Sequence, residues 1–368
     1  MEFPNTMNDD FQIEESVKVF GKLWDVLHLM GISVFPTKYQ KELKKLLYLM
    51  LKYSFPFFLL CSLVYLWHST ITNEELDYAS VLAMLNSFLC CLLWVMLFIR
   101  IRPLKRLLIH LSNINTNSIS TTSRLSLLTN IALCLIMVYL VMSITVKLRW
   151  NRMNKIPSIE ILRLIQEIVF PFTITITYIS ICYLLLQALR QCHNIFQKNL
   201  DLTCSLSVKN LIKNYLEILK GVEMFEDLFS GPVFILILRN FSWVSVIVID
   251  MMSIYNWMAV LMIESFFHMT FICGVYGILS IYAANIPLEI QHVKLTLSNK
   301  ASEQLLSEGT LRNNKQISFL LKRDVCVLTA CNVFTFDRGF VLKAIVTVIA
   351  QAVVFEQLKS SVTERDKA

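Results

Sequence analysis

Seven long apolar runs, at residues 47–67, 78–99, 125–146, 168–189, 232–255, 260–284 and 340–357, leave this chain few ways to fold. Each suffices to cross roughly 30 Å of hydrocarbon at about 1.5 Å of helix rise per residue, the last only just. The runs lack the alternation of membrane strands, so the pattern predicts an all-α membrane protein with seven transmembrane helices. With 55% hydrophobic residues, 17% charged and a mean hydropathy of +0.58, the composition is not that of a soluble domain.

Charge distribution sets the expected orientation. Lys18, Lys22, Lys38, Lys41, Lys44 and Lys45 precede the first run, whereas residues 68–77 after it carry no Lys or Arg. Basic residues recur after the second, fourth and sixth runs, which places the N-terminus in the cytoplasm and the C-terminus outside. The connection after the third run is discordant, with Lys147, Arg149, Arg152, Lys155 and Arg163 on the expected outer side. On this reading the net charge of +7 belongs mostly to the cytoplasmic face of a cell-membrane protein, and nucleic acid is not needed to explain it. No signal peptide is expected, because the opening residues are acidic and polar. The ten cysteines avoid the expected outer loops and form no CxxC pair, which argues against a disulfide framework and a metal site.

Four regions follow. Residues 1–46 form a cytoplasmic segment in which Phe20, Trp24, Leu27 and Met30 recur at helical spacing before Gly31. Residues 47–284 make a six-helix bundle, with spans four and five extended on the cytoplasmic side; Leu211, Tyr215, Ile218, Val222 and Phe225 keep a helical period there. Residues 285–339 form a cytoplasmic connection with a further helix expected over 317–333. Together with the 211–225 helix it is the expected subunit interface. Residues 340–368 carry the seventh span and a short outer tail.

That last span is the most informative for function. Thr347, Gln351 and Phe355 stand at four-residue intervals on one helical face, and polar groups facing lipid would lack partners. A water-lined face explains them, with Val354 and Phe355 as a hydrophobic constriction and Glu356 at the mouth. A binding pocket for a small organic molecule is expected in the outer half of the bundle, from Trp243, Asp250, Tyr255, Trp257, Glu264 and His268 of spans five and six and Tyr178 of span four. Asp250 stands in an apolar run, where a carboxylate is costly without water or a partner. An alternative for the aromatics is a belt at the membrane boundary, and Glu264 and His268 could satisfy each other at i and i+4. Catalysis is not expected, since no convergent set of reactive groups accompanies them.

The run Thr347, Val348, Ile349, Ala350, Gln351, Ala352, Val353, Val354, Phe355 resembles the closing signature of the arthropod gustatory receptor family, which is related to the insect odorant receptors. That signature is Thr-Tyr, five mostly apolar residues, then Gln-Phe; Val348 and Val354 replace the Tyr and the Gln. Residues 329–338 resemble the family's approach to its last span, and Leu29 to Ile32 with Phe35 and Pro36 resemble its N-terminal pattern. The resemblance implies a homo- or heterotetrameric ligand-gated cation channel without a cofactor. The seventh helices would surround a pore, and the other six would hold a small-molecule tastant or odorant within the lipid membrane. A G-protein-coupled receptor would need the opposite orientation, and the Asp-Arg-Tyr and Asn-Pro-x-x-Tyr elements of that class are missing. A secondary transporter would show repeated, Gly- or Pro-broken halves.

Overall fold

In the computed structural model, residues 22–33, 42–72, 78–115, 119–150, 158–199, 205–253 and 260–308 are described, together with most of 327–336 and separate positions of 339–357. Helix α1, Lys22–Leu29, buries Leu23, Trp24 and Leu27 on one face. It ends where Gly31 takes a φ of 80°, a left-handed value that costs glycine least. There the amide of Ile32 donates to the Leu27 carbonyl and that of Gly31 to His28, both at 3.0 Å, which closes the last turn as a Schellman cap. Trp94 Nε1 donates to the Met30 carbonyl at 3.0 Å and ties this cap to the bundle. The expected N-terminal amphipathic helix is therefore packed against the protein; Phe20 lies outside the described residues.

The long helices are α2 (Glu42–Thr72), α3 (Tyr78–Ile99), α5 (Ile119–Trp150), α6 (Ser158–Asn199), α7 (Ser205–Ser253) and α8 (Val260–Glu308). Each contains a segment long and apolar enough to cross a membrane, six among the described residues. Between α3 and α5 lies α4, Ile101–Asn115, amphipathic and too short to span, with Leu104, Leu107, Leu108 and Leu111 buried. The membrane segment of α6 is 83% buried and that of α2 only 11%, so α6 is the hub and α2 the rim. Indeed α6 packs against each of α1 to α5, α7 and α8. On the rim, Phe57, Leu60 and Val64 of α2 and Leu127, Ile131, Leu135 and Val138 of α5 are exposed, an apolar surface suited to lipid and costly in water.

Helices α6 and α7 run unbroken through 42 and 49 residues, as the helical period after spans four and five predicts. Helix α8 goes further than expected, continuing through Pro287 to Glu308 instead of ending near residue 284. The 317–333 segment departs from expectation at its described end. Thr329–Ala330 (β1) and Phe334–Thr335 (β2) form an antiparallel hairpin, not a helix. Its turn contains Cys331 at a φ of 53°, which does not fit a right-handed helix. Side-chain acceptors on α7 hold it open: Glu226 Oε1 takes the Thr329 amide at 2.9 Å and also its hydroxyl, while Ser230 Oγ takes the Cys331 amide at 2.8 Å. The apolar face of 211–225 is also spent inside the chain, since Ile212, Tyr215, Ile218, Val222 and Phe225 are buried. Leu211 is half-buried, and residues 317–326, the other part of the expected interface, lie outside the described ones.

Candidate functional site

Two prolines create backbone needs that two arginines meet. Pro171 has no amide to donate, so the Glu167 carbonyl, four residues earlier in α6, loses its helical partner. Arg239 Nη2 of α7 donates to that carbonyl. Likewise Pro232 frees the Leu228 carbonyl, and Arg100 Nη1, at the end of α3, donates to it at 2.6 Å and to the Asp227 carbonyl at 3.1 Å. In a membrane-spanning helix such freed groups must find protein partners.

Arg239 is the centre of a polar layer across the bundle. It is 1% exposed, its Nη1 donates to Asn240 Oδ1 at 3.3 Å, and its guanidinium lies 4.9 Å from the ring centre of Trp243. The Glu167 carboxylate accepts from Ser87 Oγ of α3 and stands 3.7 Å from Arg163 Nε, one turn before it. Beside it, Gln166 Oε1 accepts from Ser62 Oγ of α2 at 2.9 Å. Tyr276 of α8 and Cys90 of α3 are near enough to Arg239 to feel its charge. Five helices thus meet in one layer. It lies away from the hairpin, about 14 Å along α7 beyond Ser230.

An aromatic cluster lies between α5, α6 and α8. Tyr139 stacks on Phe271 with ring centres 4.0 Å apart and meets Phe172 edge-on at 5.8 Å. Its hydroxyl hydrogen-bonds Nδ1 of His268. Next to this cluster is a mostly apolar cavity of about 390 Å³, with Phe172, Ile176, Phe271 and Val275 on its walls and the hydroxyls of Thr129, Ser180, Tyr183 and Tyr282 at its edges. A second cavity, of about 650 Å³, separates α3 and α7 from the hairpin and the helical positions that follow it; Leu82, Phe241, Ser242, Phe340, Lys343 and Thr347 line it.

The expected pocket residues divide among these places. Trp243 belongs to the polar layer and His268 to the aromatic cluster, where Tyr139 is its partner. Tyr178 sits elsewhere, packed on Phe225 and Phe229 and 6.3 Å from Phe336 beside the hairpin. Asp250 and Glu264 are on helices α7 and α8 with side chains outside the described ones; Tyr255 and Trp257 lie outside the described residues altogether. Of the expected pore residues, Thr347 and Val354 are helical and exposed, and the Thr347 hydroxyl donates to the Lys343 carbonyl at 2.8 Å. Gln351, Phe355 and Glu356 lie outside the described residues. Arg239 and Glu167 are not among the residues expected at the site. An arginine in the apolar run 232–255 carries the same warning as Asp250, and Pro171 marks the carbonyl that receives it.

No family profile and no curated protein sequence matches this chain. Among solved structures, its fold is similar to that of the insect olfactory receptor OR5 from Machilis hrabei in complex with eugenol. The TM-score is 0.66 at 13% sequence identity, over 95% of this chain and 100% of that chain. The likeness covers the whole architecture, and at that identity it is one of fold.

Proposed function

We propose that the chain is a chemosensory receptor of the gustatory type, a ligand-gated non-selective cation channel in the plasma membrane. The observation that carries this reading is the fold, which follows an insect olfactory receptor from end to end. That protein was solved with eugenol, a small organic compound, and a ligand of that size suits the half of this bundle away from the hairpin. There Trp243 and His268, with Asp250, Tyr255, Trp257 and Glu264 on or beside the same helices, would form the walls, whereas Tyr178, packed beside the hairpin, would not belong to them. The gustatory assignment rests on the closing run from Thr347 to Phe355. Four copies, identical or mixed with related subunits, would place Thr347, Gln351, Val354, Phe355 and Glu356 around a central pore. The N-terminus would lie inside the cell and the C-terminus outside.

Cells expressing the chain with a tag at either end test this reading. In unpermeabilised cells the C-terminal tag alone should bind antibody, and a panel of small organic compounds including eugenol should evoke a cation current. An exposed N-terminus would point to a G-protein-coupled receptor. A correctly oriented chain that responds only beside a conducting subunit would be a non-conducting chemoreceptor subunit.

A further inference from the structure

We infer that the polar layer around Arg239 recognises a small organic carboxylate, a ligand class that rests on the chemoreceptor reading and narrows it. Charge is the first argument. Among the described side chains, the contacts of this layer bring together two arginines, Arg163 and Arg239, and one carboxylate, Glu167. Among those described side chains one positive charge is left over, and an uncompensated charge is expensive inside a bundle.

Hydrogen bonding gives the same sign independently. Nε of Arg239, Nε of Arg163 and Nε2 of Gln166 are all buried donors with no hydrogen-bond partner among the described residues; Asn86 Oδ1 and the hydroxyls of Ser242 and Tyr276 are likewise buried without one. The three nitrogens can only donate, so a ligand that engages them brings acceptors, and a carboxylate brings two oxygens and a negative charge together. The guanidinium is prepared for this. Its Nη2 is fixed on the carbonyl that Pro171 frees, its Nη1 on Asn240, and its face on Trp243, so the Nε edge is held in one orientation without a ligand. A neutral odorant with an oxygen could accept from these donors but would leave the charge as it is.

The test uses the full chain purified in detergent, with hexanoate and benzoate as probes. Methyl hexanoate, hexanol, methyl benzoate and benzyl alcohol serve as neutral counterparts at equal ionic strength. Both acids should raise the melting temperature by several degrees and their neutral counterparts should not. Arg239→Gln should weaken acid binding at least tenfold, and Arg239→Lys, which keeps the charge but not the fork, should fall between. If Arg239→Gln fails to fold, the acid-against-ester comparison on the unaltered protein decides. Equal stabilisation by esters, or none by either acid, overturns the inference. Because binding is read without current, acid binding in a chain that never conducts would keep this site and remove the channel. Currents evoked by neutral compounds, with no stabilisation by acids, would do the reverse.

Discussion

A proline inside a helix leaves the carbonyl four residues earlier without its donor, and twice here an arginine from another helix supplies one. Arg100 does so at Leu228 and Arg239 at Glu167. The cost of removing such a donor is that of a polar group left unpaired, about 1–3 kcal/mol. Arg100→Ala should accordingly lower the melting temperature of the detergent-purified protein by a few degrees, with less loss for Pro232→Ala combined with Arg100→Ala, because alanine restores the helical amide. An equal loss in the single and double variants would show that Arg100 acts through something other than the freed carbonyl. Half of this arrangement is written locally, since Pro171, Pro232 and Arg239 interrupt apolar runs and each announces a need for a partner. Which arginine meets which proline is not, because Glu167 and Arg239 are 72 positions apart and only the packing of α6 on α7 joins them. The Tyr139 hydroxyl on His268 is not legible in the sequence for the same reason, since the two residues are 129 positions apart.

At the scale of elements, long helices are read easily because apolar runs and helical periods extend over many residues, so small errors average out. The hairpin of β1 and β2 offers no such repetition. Each strand has two residues, and the apolar character of 327–336 suits a helix as well as a strand. What decides is the set of acceptors on α7, Glu226 and Ser230, which bind the amides of Thr329 and Cys331. Glu226→Ala leaves the Thr329 amide and hydroxyl without that acceptor, and hydrogen exchange at Thr329 should then accelerate by roughly one to two powers of ten, matching about 1–3 kcal/mol. Exchange in the middle of α6 should not change. If Thr329 kept its protection, the hairpin would be held by its apolar contacts, Phe336 on Tyr178 and Phe340 among them, and not by the carboxylate.

Across the whole molecule, burial is very uneven, and the unevenness bears on how the chain works. The most apolar window of the hub helix α6 is 83% buried, whereas the described residues Leu342, Val346, Ile349, Val353 and Val354 after the hairpin are exposed in the single chain. Exposed apolar positions of this kind suit lipid or contact with another copy of the chain. Thr347 has its hydroxyl on the Lys343 carbonyl, which lets a polar residue occupy such a helix at little cost in either setting. A helix that only faced lipid would gain nothing from Gln351 and Glu356. Around a shared axis, Gln351 would offer oxygen dipoles to a passing cation, and four copies of Glu356 would draw cations to the mouth. Val354 with Phe355 would close the path by excluding water. Replacing both by Ala should raise the current that flows without ligand several-fold, and Glu356→Lys should reduce single-channel conductance for cations, both measured in patches with surface expression matched. Unchanged basal current in the first variant together with unchanged conductance in the second would take the pore away from this helix and leave it as a lipid-facing span.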